Sequence, residues 1–165
     1  MLPPVSPQSR SGYTFAEVLV AILLLAVFFM SIFQLNAICL RYINATKETV
    51  GAQQIVHDRG EALRNLAFSD LTTTSYLQTL LTAPANNSDI TRKLTEVIKI
   101  SNFPTWNGGT QFTRNSNGSV SVDTVATDLG SALVHVSVTA TWNMTLGGRA
   151  RDVQINTVVA NGTKK

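Results

Sequence analysis

The residues able to do chemistry are few and far apart. His57 and His135 are the two histidines. Asp58 follows His57 directly, but adjacent residues on a helix point in different directions, so this pair cannot form a relay to a serine. We read His57 as a solvated helix residue and His135 as a residue on the polar face of a strand. The sequence has no HExxH, no Walker-type phosphate loop and no calcium-loop spacing, and its Asp and Glu residues are dispersed. It therefore names no catalytic residue, no metal ligands and no cofactor, and the expectation is that the chain is not an enzyme. Trp106 and Trp142 could serve as ligand platforms, but a tryptophan ending an alternating strand more simply caps a core. Gly108-Gly109, Gly118 and Gly147-Gly148 read as turns. The sequons at Asn44 and Asn143 are what an Asn- and Thr-rich chain produces by chance. One acidic residue is out of place: Glu17, inside RSGYTFAEVLVAILLLAVFFMSIF, Arg10 to Phe33. A carboxylate at the centre of a membrane span costs about 2.5–3.5 kcal/mol. In the first helical turn the same charge is favoured by the helix dipole.

From Val18 to Phe33 all 16 residues but Ser31 are apolar. Tyr13, Phe15, Ala16 and Leu35 extend the run into the roughly 17–25 residues of a spanning helix. Neither Pro nor Gly occurs between Tyr13 and Val50 to oblige the helix to stop. A secretory signal would require small residues after the apolar core, where QLNAIC stands with Leu35 three before a cut after Ala37. A lipoprotein signal would require a small residue before Cys39, where bulky Ile38 stands. An uncleaved anchor explains the run, but leaves Glu17 and the residues around Gly12 without a reason.

The remaining chain bounds the architecture. With 165 residues there is room for one ordinary domain plus an N-terminal element. Hydrophobic residues make up 44%, and the only long apolar run falls in the first 43 positions, ahead of a Thr-, Ser- and Asn-rich remainder. The net charge of +3 and the pI near 9.3 come from scattered Lys and Arg, which argues against the basic stripe of a nucleic-acid site. Cys39 is the only cysteine, so there is no intrachain disulfide and packing must hold the fold.

Gly12-Tyr13-Thr14-Phe15-Ala16-Glu17-Val18-Leu19-Val20-Ala21 resembles the cleavage and methylation motif of type IV prepilins and type II secretion pseudopilins. The resemblance implies a cytoplasmic leader over residues 1–12 that includes basic Arg10, a cut between Gly12 and Tyr13 by a prepilin peptidase, and N-methylation of Tyr13. Glu17 then matches the family's buried glutamate. It implies that Glu17 neutralises the new amine of a neighbouring subunit, making two charges that are costly alone in an apolar medium tolerable together. Tyr13 stands where family members more often have Phe, and Phe15-Ala16 replaces the usual aliphatic pair. The chain has neither the proline kink nor the C-terminal disulfide loop of many major pilins, which favours a minor pilin or an I-type pseudopilin. Arg10 precedes the span while Arg41 and Lys47 follow it, so the orientation, head outside the cytoplasm, comes from the resemblance.

The expected fold is α+β and type IV pilin-like: a long N-terminal helix, half in the membrane and half a spine, packed on a small antiparallel sheet. Its divisions are the leader 1–12, a transmembrane and filament-core helix 13–36, a continuation 37–66, and a head 67–165. Leu35, Ile38, Tyr42, Val50, Ile55, Ala62, Leu63 and Leu66 recur at helical spacing, and Gly51 and Gly60 are weak points that could mark a bend. Asn-Asn-Ser-Asp before Ile90 and Asn-Phe-Pro after Ile100 bound a possible short helix. Residues 110–114 and 119–125 read as strands around Asn-Ser-Asn-Gly. ALVHVSVTATW and RDVQINTVV alternate as a strand pair joined by Met144 to Gly148. This ending, Trp142, a Gly-rich turn, Arg149 or Arg151 and a last strand, also resembles that of several minor pilins and I-type pseudopilins.

The expected function is a structural subunit of a type IV pilus or a type II secretion pseudopilus. Its partners would be the prepilin peptidase, other pilins or pseudopilins in a helical filament, an inner-membrane assembly platform and, before assembly, membrane lipid. It would sit in the inner membrane as a single-pass protein and then move to the filament. The alternatives are a membrane-anchored extracytoplasmic ligand-binding or enzymatic domain, which requires a constellation in the head, and a DNA-uptake pilin, which requires a basic patch beside exposed aromatics.

Overall fold

The computed structural model describes residues 12–104 and 108–162. Trp106, Arg10 and the rest of the expected leader before Gly12 lie outside the described residues. The chain is α+β and divides into two compact units, Met1–Leu40 and Arg41–Lys165.

Helix α1 runs Phe15–Arg64, 50 residues without a break. In the first unit its side chains through Leu40 are all exposed, as expected of a helix whose apolar residues go all the way round. In the second unit a different pattern takes over. Ala45, Glu48, Ala52, Ile55, Val56, Arg59, Gly60 and Leu63 are buried, spaced three, four or one apart along a single stripe. Tyr42 and Val50, expected on the apolar face, are exposed, and the stripe instead includes two charged residues.

The stripe packs on a five-stranded sheet with order β3-β2-β1-β4-β5. The strands are β1 Leu94–Asn102, β2 Thr110–Arg114, β3 Val120–Thr124, β4 Leu133–Asn143 and β5 Ala150–Ala160. Every neighbouring pair is antiparallel. Ile98, Ile100, Phe112, Val134, Val136, Val138, Ala140 and Trp142 join Ile55, Val56 and Leu63 in one core. Both hairpins expected from the C-terminal alternation are present. Asn115 to Ser119 closes the first, with Gly118 at φ 88°. The second turns at Met144 to Arg149, with Gly147 and Gly148 both at positive φ.

Two expectations are corrected. Residues 90–100 do not form a helix: a short 3₁₀ turn, Asp89–Arg92, leads into β1, the central strand. The inward row of β1 is Leu94, Glu96, Ile98 and Ile100, and the glutamate at an inward position masks the period of two. The stretch after Ser69 holds helices α2 Phe68–Thr72 and α3 Thr74–Thr82, which bury Leu71, Leu77 and Leu81. Gly51 and Gly60 do not interrupt α1. They are points of close approach: a Cβ on Gly51 would lie 3.0 Å from Ile90 Cγ2, and one on Gly60 would lie 3.3 Å from Ile155 Cγ2. Gly51→Leu should therefore destabilise the head by about 1–3 kcal/mol despite the better helix propensity of leucine, since the added carbons have no room. Denaturant titration of the full chain in detergent measures this, and an unchanged midpoint would show that the neighbouring turn yields freely.

Candidate functional site

Gly12, Tyr13 and Thr14 precede the first turn of α1 in irregular conformation, and all are exposed. The Gly12–Tyr13 peptide bond therefore lies outside the helix. Tyr13 is 87% exposed. Nothing lies within 4 Å of a Cβ built on Gly12, so substitution there leaves the chain's own packing untouched.

Thr14 and Glu17 make a reciprocal cap. The Glu17 carboxylate accepts from the Thr14 backbone N–H at 2.8 Å and from its hydroxyl at 3.1 Å, while the Glu17 N–H donates to Thr14 Oγ1 at 3.3 Å. This is the Thr-x-x-Glu capping box, which satisfies otherwise orphaned donors at a helix start. The spacing that signals this cap stands in the sequence. Among the described residues Glu17 forms no ion pair. Fourteen residues after Glu17, Ser31 gives its hydroxyl to the Val27 carbonyl at 2.8 Å, so the one polar residue of the apolar run is satisfied within the helix.

In the head, three charged groups meet in the core. Glu96 is fully buried and takes Arg59 Nε at 2.9 Å and Arg114 Nη1 at 3.3 Å. Arg59 also donates from Nη2 to the Ala83 carbonyl at 2.8 Å. These residues come from α1, β1 and β2, so no local motif announced them. Their inward placement on three elements is a matter of register.

Glu48 ties α1 to the β4–β5 turn. It accepts from the Thr145 backbone N–H at 3.0 Å and from the Thr145 hydroxyl, with Lys93 Nζ at 3.5 Å. Burial acts to raise its pKa, but the Thr145 hydrogen bonds and the Lys93 charge together outweigh burial and lower it. With the folded pKa below the unfolded one, this contribution is complete above the ordinary carboxylate value and is lost as pH falls through the lowered one. Glu48→Gln should flatten the acid limb of the stability curve, as measured by thermal melting from pH 6 down to about 3. An unaltered limb would assign the acid sensitivity elsewhere. Asp123 is likewise held below its ordinary value by Thr113, Gln111 and Ser121, at the outer hairpin.

His57 is exposed on α1, in keeping with a solvated helix residue. His135 is not solvated: it is buried on β4, and burial followed by the charge of Lys99 lowers its pKa. Strand neighbours on both sides cover it, paired at Ser101 and Val158. Among the described residues no group of three or more His, Cys, Asp or Glu side chains is placed to hold a metal ion.

The fold and the N-terminal segment define the class at a coarse level. One N-terminal helix is long and apolar enough to cross a membrane, and the α+β architecture is compatible with a membrane-anchored, pilin-like subunit. Comparison with protein-family models, with curated proteins and with solved structures finds no match to this chain.

Proposed function

We propose that the chain is a minor pilin or pseudopilin: a structural subunit that a prepilin peptidase cuts between Gly12 and Tyr13, that is methylated at Tyr13, and that assembles from the inner membrane into a type IV pilus or a type II secretion pseudopilus. The observation that carries this reading is the position of the Gly-Tyr-Thr-Phe-Ala-Glu stretch. It begins with an exposed, non-helical peptide bond, Gly12–Tyr13, just before a helix whose first 26 residues, Phe15–Leu40, are exposed throughout. A residue that must be cut cannot lie inside a helix, and an apolar helix with no intrachain cover needs lipid or other helices.

The role is structural rather than catalytic. Membrane lipid covers the first part of α1 before assembly, and neighbouring subunits cover it afterwards, with an inner-membrane platform making the exchange. Glu17 has two duties in sequence. In the uncut chain its carboxylate caps the helix with Thr14. After cleavage it faces the methylated amine of a neighbour, a pairing favoured in an apolar medium.

Glu17→Gln separates the two duties, because glutamine also completes a capping box. The variant should be cut normally but should recover at least about tenfold less in the sheared filament fraction, the equivalent of about 1.4 kcal/mol of lost pairing. Normal recovery of the glutamine variant would leave Glu17 with capping alone.

A further inference from the structure

A polar cavity of about 340 Å³ opens between the loop before β1 and the β2–β3 turn. Its wall includes Asn86, Asn87, Thr91, Arg92, Arg114 and Asn117, and the only charges among its lining residues are the two arginines. Both loops are held in place. The Asn86 side chain donates to Asp58 at 2.8 Å and accepts from the Ser88 N–H at 3.0 Å, and Asn117 Oδ1 accepts from the Ser119 N–H at 2.9 Å.

Arg114 is the unusual member. Its side chain is 5% exposed. It shares the Glu96 carboxylate with Arg59, so two buried guanidiniums face one buried counter-charge. Nη1 is used by Glu96, Nε has no acceptor among the described residues, and Nη2 lies at the cavity wall, 3.9 Å from a Cβ built on Gly118. A buried guanidinium with an unused donor is costly unless something accepts it. The planar fork suits an oxyanion.

We propose that this cavity is a binding site for a small hydroxylated acid of the sugar-acid class. Its carboxylate would sit between Arg92 and the Nη2 edge of Arg114, and its hydroxyls on the amides and hydroxyls of Asn86, Asn87, Thr91 and Asn117. The cavity has room for a monosaccharide and most of its lining residues are polar, which disfavours a purely apolar ligand. The inference stands apart from the reading of the N-terminus, because it concerns only the head.

The test is calorimetric titration of the full chain in detergent at constant ionic strength, with D-glucuronate, D-glucose and inorganic phosphate as probes. Backbone amide shifts report the location. Glucuronate should saturate at millimolar concentration or below, shift amides at 86–92 and 115–119, and bind more tightly than either other probe. Arg92→Gln, on the exposed rim, should weaken it about fivefold. Arg114→Lys keeps a charge beside Glu96 while removing the fork, and should abolish binding in a chain shown by melting to be folded. Absence of binding to the folded wild type, shifts elsewhere, phosphate or glucose binding as tightly as glucuronate, or indifference to both substitutions would each overturn the proposal.

Discussion

Glu96→Gln should lower the unfolding free energy of the head by about 3–5 kcal/mol. Glu96 is fully buried with Arg59 and Arg114 on its two oxygens. Bringing three ions out of water is costly, and only their mutual attraction at short range offsets the cost. Glutamine fills the same space but leaves two guanidiniums without a counter-charge. The effect should therefore exceed the loss of ordinary hydrogen bonds, each about 1 kcal/mol. The combined Arg59→Met, Glu96→Leu, Arg114→Met chain should regain most of the loss, because it leaves no charge behind. Urea titration of the full chain in detergent distinguishes these outcomes. A loss under about 1 kcal/mol for Glu96→Gln would show that water reaches the triad and that its charges are screened.

Leu24→Arg should shift membrane integration by about 2.5–3.5 kcal/mol toward the soluble fraction. Leu24 lies near the middle of the apolar run, exposed, with apolar neighbours before and after it. In a span over residues 13–36 a guanidinium there would lie near the bilayer centre with apolar neighbours along its own helix, where snorkelling cannot rescue it as it would near an end. Alkaline extraction of membranes followed by blotting measures the retained fraction. The control is Val50→Arg, in the second unit and exposed, which should stay with the membrane fraction. Equal retention of Leu24→Arg and the unaltered chain would remove the membrane span from the account.

What the sequence disclosed follows from how local each signal is. The α1 helix, both hairpins and the last two strands rest on contiguous periodicity, and each occupies its expected stretch within two residues of the expected ends. The central strand was hidden because Glu96 sits at an inward position where an apolar residue would have shown the alternation. The buried stripe of α1 was legible only in part: Ile55 and Leu63 lie on it as expected, but Glu48 and Arg59 also occupy it while Val50 does not. The Glu96 triad joins residues 37 and 18 positions apart, so only the strand register discloses it. At the N-terminus the Thr-x-x-Glu spacing stands in four consecutive letters, Thr14 to Glu17, and signals a cap. The geometry displays the cap. His135 was misread because an alternating strand normally has a wet face, whereas here both faces of mid-β4 are covered.

The Gly12–Tyr13 peptide bond decides the proposed function. Intact mass and N-terminal sequencing of the protein recovered from membranes, with Gly12→Ala alongside, test it most directly. Since a Cβ at Gly12 meets nothing within 4 Å, the variant changes the cut and not the fold. The account predicts a chain beginning at N-methylated Tyr13, with the variant keeping its leader. A chain that retains Met1, or that begins after Ala37, would contradict it.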